Sequence, residues 1–214
     1  MILVFGSSGF VGEHVSNHFK TMNKTVTPVT RHTYDMSKPD NLGGLDCYHD
    51  IETIVWCSGF NHNDRIGSLD YQLYDITMDV NVNAIVKSMD YLLSNNKVKD
   101  GARLCIISSI MEERGRVNKL SYTVSKSAIG GIVRASSITL YDRNILINSI
   151  LPGPIDNEMT RNTLSSEELE KVSPYFVDVD DICRMCYLLC FENTSITGQS
   201  IKIDNGLSSK IVYA

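Results

Sequence analysis

From end to end the chain alternates short apolar runs, rich in β-branched residues, with longer segments whose apolar residues recur every three to four positions. That alternation admits few folds. Strands apolar on both faces must be covered by helices on both sides, which is the layering of a parallel α/β sheet. The predicted strands are Ile2–Phe5, Thr25–Thr30, Ile51–Cys57, Ala102–Ser108, Ile145–Leu151 and Ser200–Ile203. Pro28 is an awkward residue for the second of these, because it cannot donate to a ladder. Helical spacing covers Phe10–Met22, Ile76–Leu93, Leu120–Tyr141 and Asp180–Phe191.

Between about Asp156 and Ser173 the chain is polar and acidic without strong periodicity, and it reads as a flap or mobile helix pair. No repeat, low-complexity tract or linker divides the sequence, so a single domain over residues 1–214 is expected, large enough for a substantial core. A net charge of −5 and the lack of a dense Lys/Arg stripe argue against nucleic acid as a partner. No apolar stretch approaches the length of a membrane span. The apolar start Met1–Phe5 runs directly into glycines, unlike a signal peptide, so the expected location is cytoplasmic.

The six cysteines follow no disulfide framework. Cys183, Cys186 and Cys190 share one predicted helix face and are expected to be buried core thiols rather than zinc ligands. His14 and His18, also on one face, are expected to be a solvated pair, and no metal site is anticipated.

Gly6-Ser7-Ser8-Gly9-Phe10-Val11-Gly12 lies where the first strand hands over to the first helix. Glycines at such a turn permit positive φ and let backbone approach a pyrophosphate, whose charge suits the helix N-terminus. This predicts a doubly wound parallel sheet of Rossmann type, three-layered and binding a dinucleotide. The second strand ends Val29-Thr30-Arg31-His32, with an arginine where an acidic residue commonly takes a ribose hydroxyl. A guanidinium suits a 2′-phosphate, so NADP(H) is the expected cofactor, with NAD(H) second.

Tyr122 and Lys126 stand four residues apart near the start of the long predicted helix, on one face. A nearby lysine cation favours the phenolate and would make the tyrosine a usable acid/base. Ser109 ends the strand before that helix, where its hydroxyl could donate to a substrate carbonyl oxygen. Asn81 is a polar residue in an otherwise apolar helix, expected to bond backbone or water.

Taken together, the three glycines, Asn81, Ser109 thirteen residues before Tyr122, Tyr122-x-x-x-Lys126, Pro152-Gly153-Pro154-Ile155, and Ile196-Thr197-Gly198-Gln199 leading to Asp204-Asn205-Gly206 resemble the short-chain dehydrogenase/reductase family over nearly the whole length. The resemblance implies hydride transfer between a nicotinamide and a ketone or secondary alcohol. In it, Tyr122 carries the proton, Lys126 holds the ribose and lowers the tyrosine pKa, Ser109 polarises the carbonyl, and Asn81 anchors a relay water. It further implies that Pro152, Gly153 and Ile155 position the nicotinamide and that Asp35 and Met36 meet the adenine. A homodimer or homotetramer packed through the long helices is also implied.

Three departures from the family pattern stand out. The glycine spacing is that of the extended branch containing nucleotide-sugar epimerases. Trp56-Cys57-Ser58-Gly59 replaces the usual Asn-Asn-Ala-Gly, keeping Gly59 and placing Cys57 and Ser58 at the cofactor. The short segment before Trp56 predicts that one helix is reduced. Two other readings are an epimerase or dehydratase on a nucleotide sugar, and a protein that senses NADP without turnover. Substrate recognition is expected from Met111–Asn118, Asn61–Arg65 and the flap, with Glu112, Glu113, Arg114 and Arg116 either a solvated loop or a substrate clamp.

Overall fold

The computed structural model describes residues 1–210. The last four residues of the expected domain lie outside the described residues. Six strands, β1 (Ile2–Phe5), β2 (Val26–Val29), β3 (Ile51–Trp56), β4 (Val98–Ile107), β5 (Leu146–Pro152) and β6 (Ser200–Ile203), form one sheet in the order β2-β1-β3-β4-β5-β6. Every neighbouring pair is parallel. The architecture is the doubly wound three-layer α/β/α fold that the alternation predicts.

Successive residues of a strand point to opposite faces, and the two cores follow that rule. On one face Leu3, Phe5, Ile54, Trp56, Leu104 and Ile106 pack against α3 (Ala84–Ser94) and α4 (Leu120–Thr139). On the other, Ile2, Val4, Val55, Cys105, Ile107 and Ile150 meet α1 (Phe10–Thr21) and, later in the chain, a helix over Val179–Tyr187. Phe5 stacks on Trp56 at 5.6 Å, and the buried Trp56 indole donates to Ser88 Oγ at 3.1 Å, so its one polar atom is satisfied. Each such fully buried large apolar side chain contributes about 1.5–3 kcal/mol.

β2 is an edge strand, which is where Pro28 is tolerated. The link from β2 to β3 holds only a four-residue 3₁₀ turn, Leu42–Leu45, in place of a crossover helix. Tyr34, Met36, Leu45 and Tyr48 are buried in that link and cover the sheet instead. β4 begins four residues earlier than its apolar run suggests. Val98 pairs with Ile51 ahead of a register shift, and Gly101 supplies a positive φ of 80° within the irregularity. Polar residues hid this start from the pattern.

The second long helix is continuous in space but not in winding. α2 (Tyr71–Met78) passes into α3 through one wide π-type turn at Asp79–Asn83, centred on Asn81. The polar segment expected to be a flap forms two short helices, α5 (Glu158–Thr163) and α6 (Ser166–Val172). Ser165 and Glu168 make a reciprocal capping box at the start of α6. That serine–glutamate spacing was the readable signal for it. α7 (Val179–Tyr187) is the last α-helix among the described residues and runs on into a π-type turn at Leu188–Glu192.

Because β1 leads outward to β2 while β3 pairs on its other side, the strand order reverses between β1 and β3. The carboxyl ends of the strands at such a reversal open a crevice.

Candidate active site

The crevice is floored by the glycine loop. Gly6 has φ 71°, and a Cβ there would lie 2.8 Å from Ser58 N. At Gly12 a Cβ would fall 2.2 Å from the Gly6 carbonyl oxygen. Only glycine therefore lets this loop fold over β3 and seat the first turn of α1. Gly9 is ordinary by comparison, with φ −85° and one contact at 3.4 Å, and its N–H donates to Gly6 O at 3.0 Å.

Tyr122 owes its position to a residue that the sequence reading left within a substrate stretch. Asp64 is buried, and its carboxylate accepts the Ser121 N–H at 3.1 and 3.2 Å and the Ser121 hydroxyl, pinning the first turn of α4. Four residues on, the buried Lys126 places Nζ 5.6 Å from the Tyr122 ring centroid and donates to the Ile107 carbonyl at 3.2 Å. Burial of the pair has opposite effects on acid and base. It pushes the Tyr122 phenol up to about 12, only partly offset by the Ser109 hydroxyl. It pulls Lys126 down to about 8, despite the opposing field of Glu112. Removal from water disfavours whichever form is charged, and here it outweighs the expected help of the lysine to the phenolate.

Ser109 lies just past the end of β4, its Oγ accepting the Met111 N–H at 3.2 Å. Asn81 is fully buried: its oxygen accepts the Phe60 N–H at 2.8 Å, and its amide donates to Phe60 O and Ser125 Oγ, each at 2.9 Å. A Cβ on Gly59 would meet Asn81 Oδ1 at 3.8 Å and Lys126 Nζ at 3.9 Å, so these two groups flank the Gly59 backbone.

One cleft of about 700 Å³ collects most of the predicted residues. Gly6, Ser8, Gly9, Phe10 and Val11 line one end of it, with Arg31, Asp35 and Met36 at one rim. Cys57, Ser58 and Gly59 line the middle, and Ser109, Tyr122 and Lys126 the far end beside Pro152, Gly153 and Ile155. Ser7, Gly12 and Asn81 are not on its wall. Gly12 acts beneath the loop and Asn81 behind Gly59. Asp35 turns its carboxylate onto Ser37 N and Oγ, at 3.0 and 2.8 Å, and Arg31 is close enough to help hold it below the ordinary carboxylate range. Arg31 thus has an acidic neighbour that its sequence position does not show.

Sequence reasoning did not single out Tyr34, Ser108 or Lys119, all of which line the cleft. Ser108 Oγ is buried without a hydrogen-bond partner among the described residues. The loop after Ser109 is mostly tied to the body. Glu112 accepts from Ser200 Oγ at 2.5 Å, Glu113 pairs with Lys202, and Arg114 donates to the Ser208 carbonyl. Arg116 alone of this set faces the cleft, paired at 2.5 Å with Glu168 of the flap. Away from the cleft, Cys183, Cys186 and Cys190 are buried, and His14 and His18 contact Phe10 and Tyr187. Among the described residues no helix is long and apolar enough to cross a membrane.

Residues 45–208 match the family model described as Enoyl-(Acyl carrier protein) reductase. The chain is 28% identical over 197 residues to 3-oxoacyl-[acyl-carrier-protein] reductase FabG of Chlamydia muridarum, covering 87% of this chain and 79% of that protein. Among solved structures it resembles a short chain dehydrogenase family protein from Francisella tularensis with a TM-score of 0.86 at 20% identity, covering 98% of each chain. It also resembles a blue fluorescent protein from a metagenomic library, in complex with NADPH, with a TM-score of 0.81 at 22% identity, covering 96% of this chain and 97% of that one. At these identities the structural likenesses establish the fold.

Proposed function

Because the chain belongs to the short-chain dehydrogenase/reductase family, we propose that it is an NADP(H)-dependent oxidoreductase interconverting a ketone and a secondary alcohol, with Tyr122 as the acid/base. The observation that carries this reading is the meeting, in one cleft, of a glycine cradle with Ser109, Tyr122 and Lys126. The cradle fits a dinucleotide, since Gly6 and Gly12 leave no room for a Cβ. The buried, unpartnered Ser108 hydroxyl offers a further polar contact on the wall. The FabG relative is by its name a reductase of a 3-oxoacyl group, and the metagenomic neighbour holds NADPH; both support a nicotinamide and a carbonyl here.

The phosphates would lie on the loop from Gly6 to Val11, with Arg31 toward the 2′-phosphate and Asp35 and Met36 toward the adenine. Cys57, Ser58 and Gly59 would line the ribose, and Pro152, Gly153 and Ile155 would back the nicotinamide, which when bound supplies the hydride. Tyr122, held protonated by burial, is poised to give its proton to the carbonyl oxygen. Ser109 donates a hydrogen bond to the same oxygen. Lys126 keeps a positive charge beside the phenol and stabilises the phenolate left after transfer. Asn81, its side-chain amide engaged by Phe60 and Ser125, holds the backbone near Lys126 where a relay water would bind.

We read residues 1–210 as one domain, with 156–173 the substrate flap. Replacing Tyr122→Phe should abolish NADPH-dependent ketone reduction while NADPH binding, followed by its fluorescence, persists. Undiminished turnover in that variant would sink the mechanism.

A further inference from the structure

We propose that Lys119 forms an anion-recognition site in the same cleft, selecting a carbonyl substrate that carries its own carboxylate. This rests on the function proposed above and names its substrate class. Lys119 stands three positions before Tyr122, and both residues line the cleft. It is 3% exposed, an unusual placement for an ammonium. Nζ donates to Asn61 Oδ1 at 2.8 Å and to the His62 carbonyl at 3.4 Å, both neutral acceptors. A lysine has three N–H donors, so one remains.

The acids nearby are engaged elsewhere. Asp64 caps Ser121 and lies 3.4 Å from His62 Nε2, and Glu168 is paired with Arg116. Among the described residues Lys119 makes no ion pair, whereas Arg116, the cation beside it on the cleft, is neutralised. Burial and Arg116 together draw the Lys119 ammonium down to about 8, against the weaker opposing pull of Asp64 and Glu168. A buried cation without a counter-ion is costly, and an incoming carboxylate supplies both the missing charge and the third acceptor.

A carboxylate fits better than a phosphate. Among the described residues the helix start offers no nest of free amides, because Leu120 N donates to the Asp64 carbonyl, Ser121 N to the Asp64 carboxylate and Thr123 N to Lys119 O, which leaves at most the single Tyr122 N–H. One spare ammonium proton suits a singly charged group. The Arg116–Glu168 contact closes the flap over the same corner, which favours a small acid.

The test is calorimetric titration of the full chain, saturated with NADP⁺, with oxamate and malonamate. These mimic 2-oxo and 3-oxo acids but carry amide carbonyls that resist hydride. Their neutral methyl esters serve as controls. At least one acid should bind tenfold or more tightly than its ester. Lys119→Met should erase that preference and Lys119→Arg should keep part of it, with NADP⁺ affinity within twofold of wild type in both. Equal binding of acids and esters, an unchanged preference in Lys119→Met, or inorganic phosphate binding more tightly than either acid would overturn the proposal. Because binding is read rather than turnover, the two ideas fail separately. A protein that binds acids through Lys119 but reduces no ketone keeps this site and loses the reaction. One that reduces neutral ketones without any acid preference keeps the reaction and loses this site.

Discussion

Among the described residues the buried Lys126 has a single carbonyl for a hydrogen-bond partner, and that arrangement costs stability in the cofactor-free protein. Even replacing a buried ion pair by apolar side chains of similar volume is often neutral or stabilising by about 1–4 kcal/mol, and a buried ammonium without a carboxylate partner has less to lose. Lys126→Met should therefore raise the melting temperature, at roughly 2–4 °C per kcal/mol for a chain of this size, while eliminating turnover. A fall in melting temperature by scanning fluorimetry would show that the lysine stabilises the fold. The same residue predicts a pH effect. Its folded pKa of about 8 lies below the unfolded lysine value, so between about pH 8 and 10 the unfolded chain holds more protons and stability rises with pH. Urea midpoints across that window should climb in the wild type and climb less in Lys126→Met. Arg31 is the other residue with a sharp expectation. Arg31→Asp should weaken NADPH binding much more than NADH binding, and equal losses for both would remove it from the 2′-phosphate.

At the scale of elements, the glycine loop separates residues that look alike in sequence. Gly12→Ala puts a methyl within 2.2 Å of a carbonyl oxygen, where both helix and loop backbones would have to move. Overpacking of this kind costs about 1–3 kcal/mol or more. Thermal melts should show a clear loss for Gly12→Ala, with weaker NADPH binding, and little loss for Gly9→Ala, which already has an ordinary φ. Similar melts for the two would mean that the loop adapts. The positions of the glycines, of Tyr122 and Lys126, and of the Pro152–Ile155 turn were legible because each is a local pattern with a fixed spacing. Asp64 and Lys119 were not. Their importance depends on the close approach of the segment after β3 to the start of α4, which no local spacing encodes. The π-type turn at Asn81 was equally hidden, since its sequence is that of an ordinary helix.

For the whole molecule, the expected homo-oligomer through the long helices is a proposal that the surface makes testable. Ile138 on α4 is 80% exposed, and Tyr141 just beyond it 74%, apolar side chains on the solvent side of the helix. Ile138→Arg should convert an oligomer to monomer in light scattering after gel filtration. An unchanged mass would place any interface elsewhere. At this scale the sequence by itself determined the class of fold and the chemistry of its proposed centre. Alternation of buried strands with amphipathic helices leaves a covered parallel sheet as the economical solution, and a turn that must reach positive φ declares itself by glycine. Tertiary structure decided what those residues experience. It withdrew Lys126 from water and Tyr122 in large part, so that desolvation rather than their mutual spacing sets their proton affinities. It gave Arg31 an acidic neighbour and, among the described residues, left Lys119 without one in ion-pair contact, because such fields depend on distance through space and on exclusion of solvent.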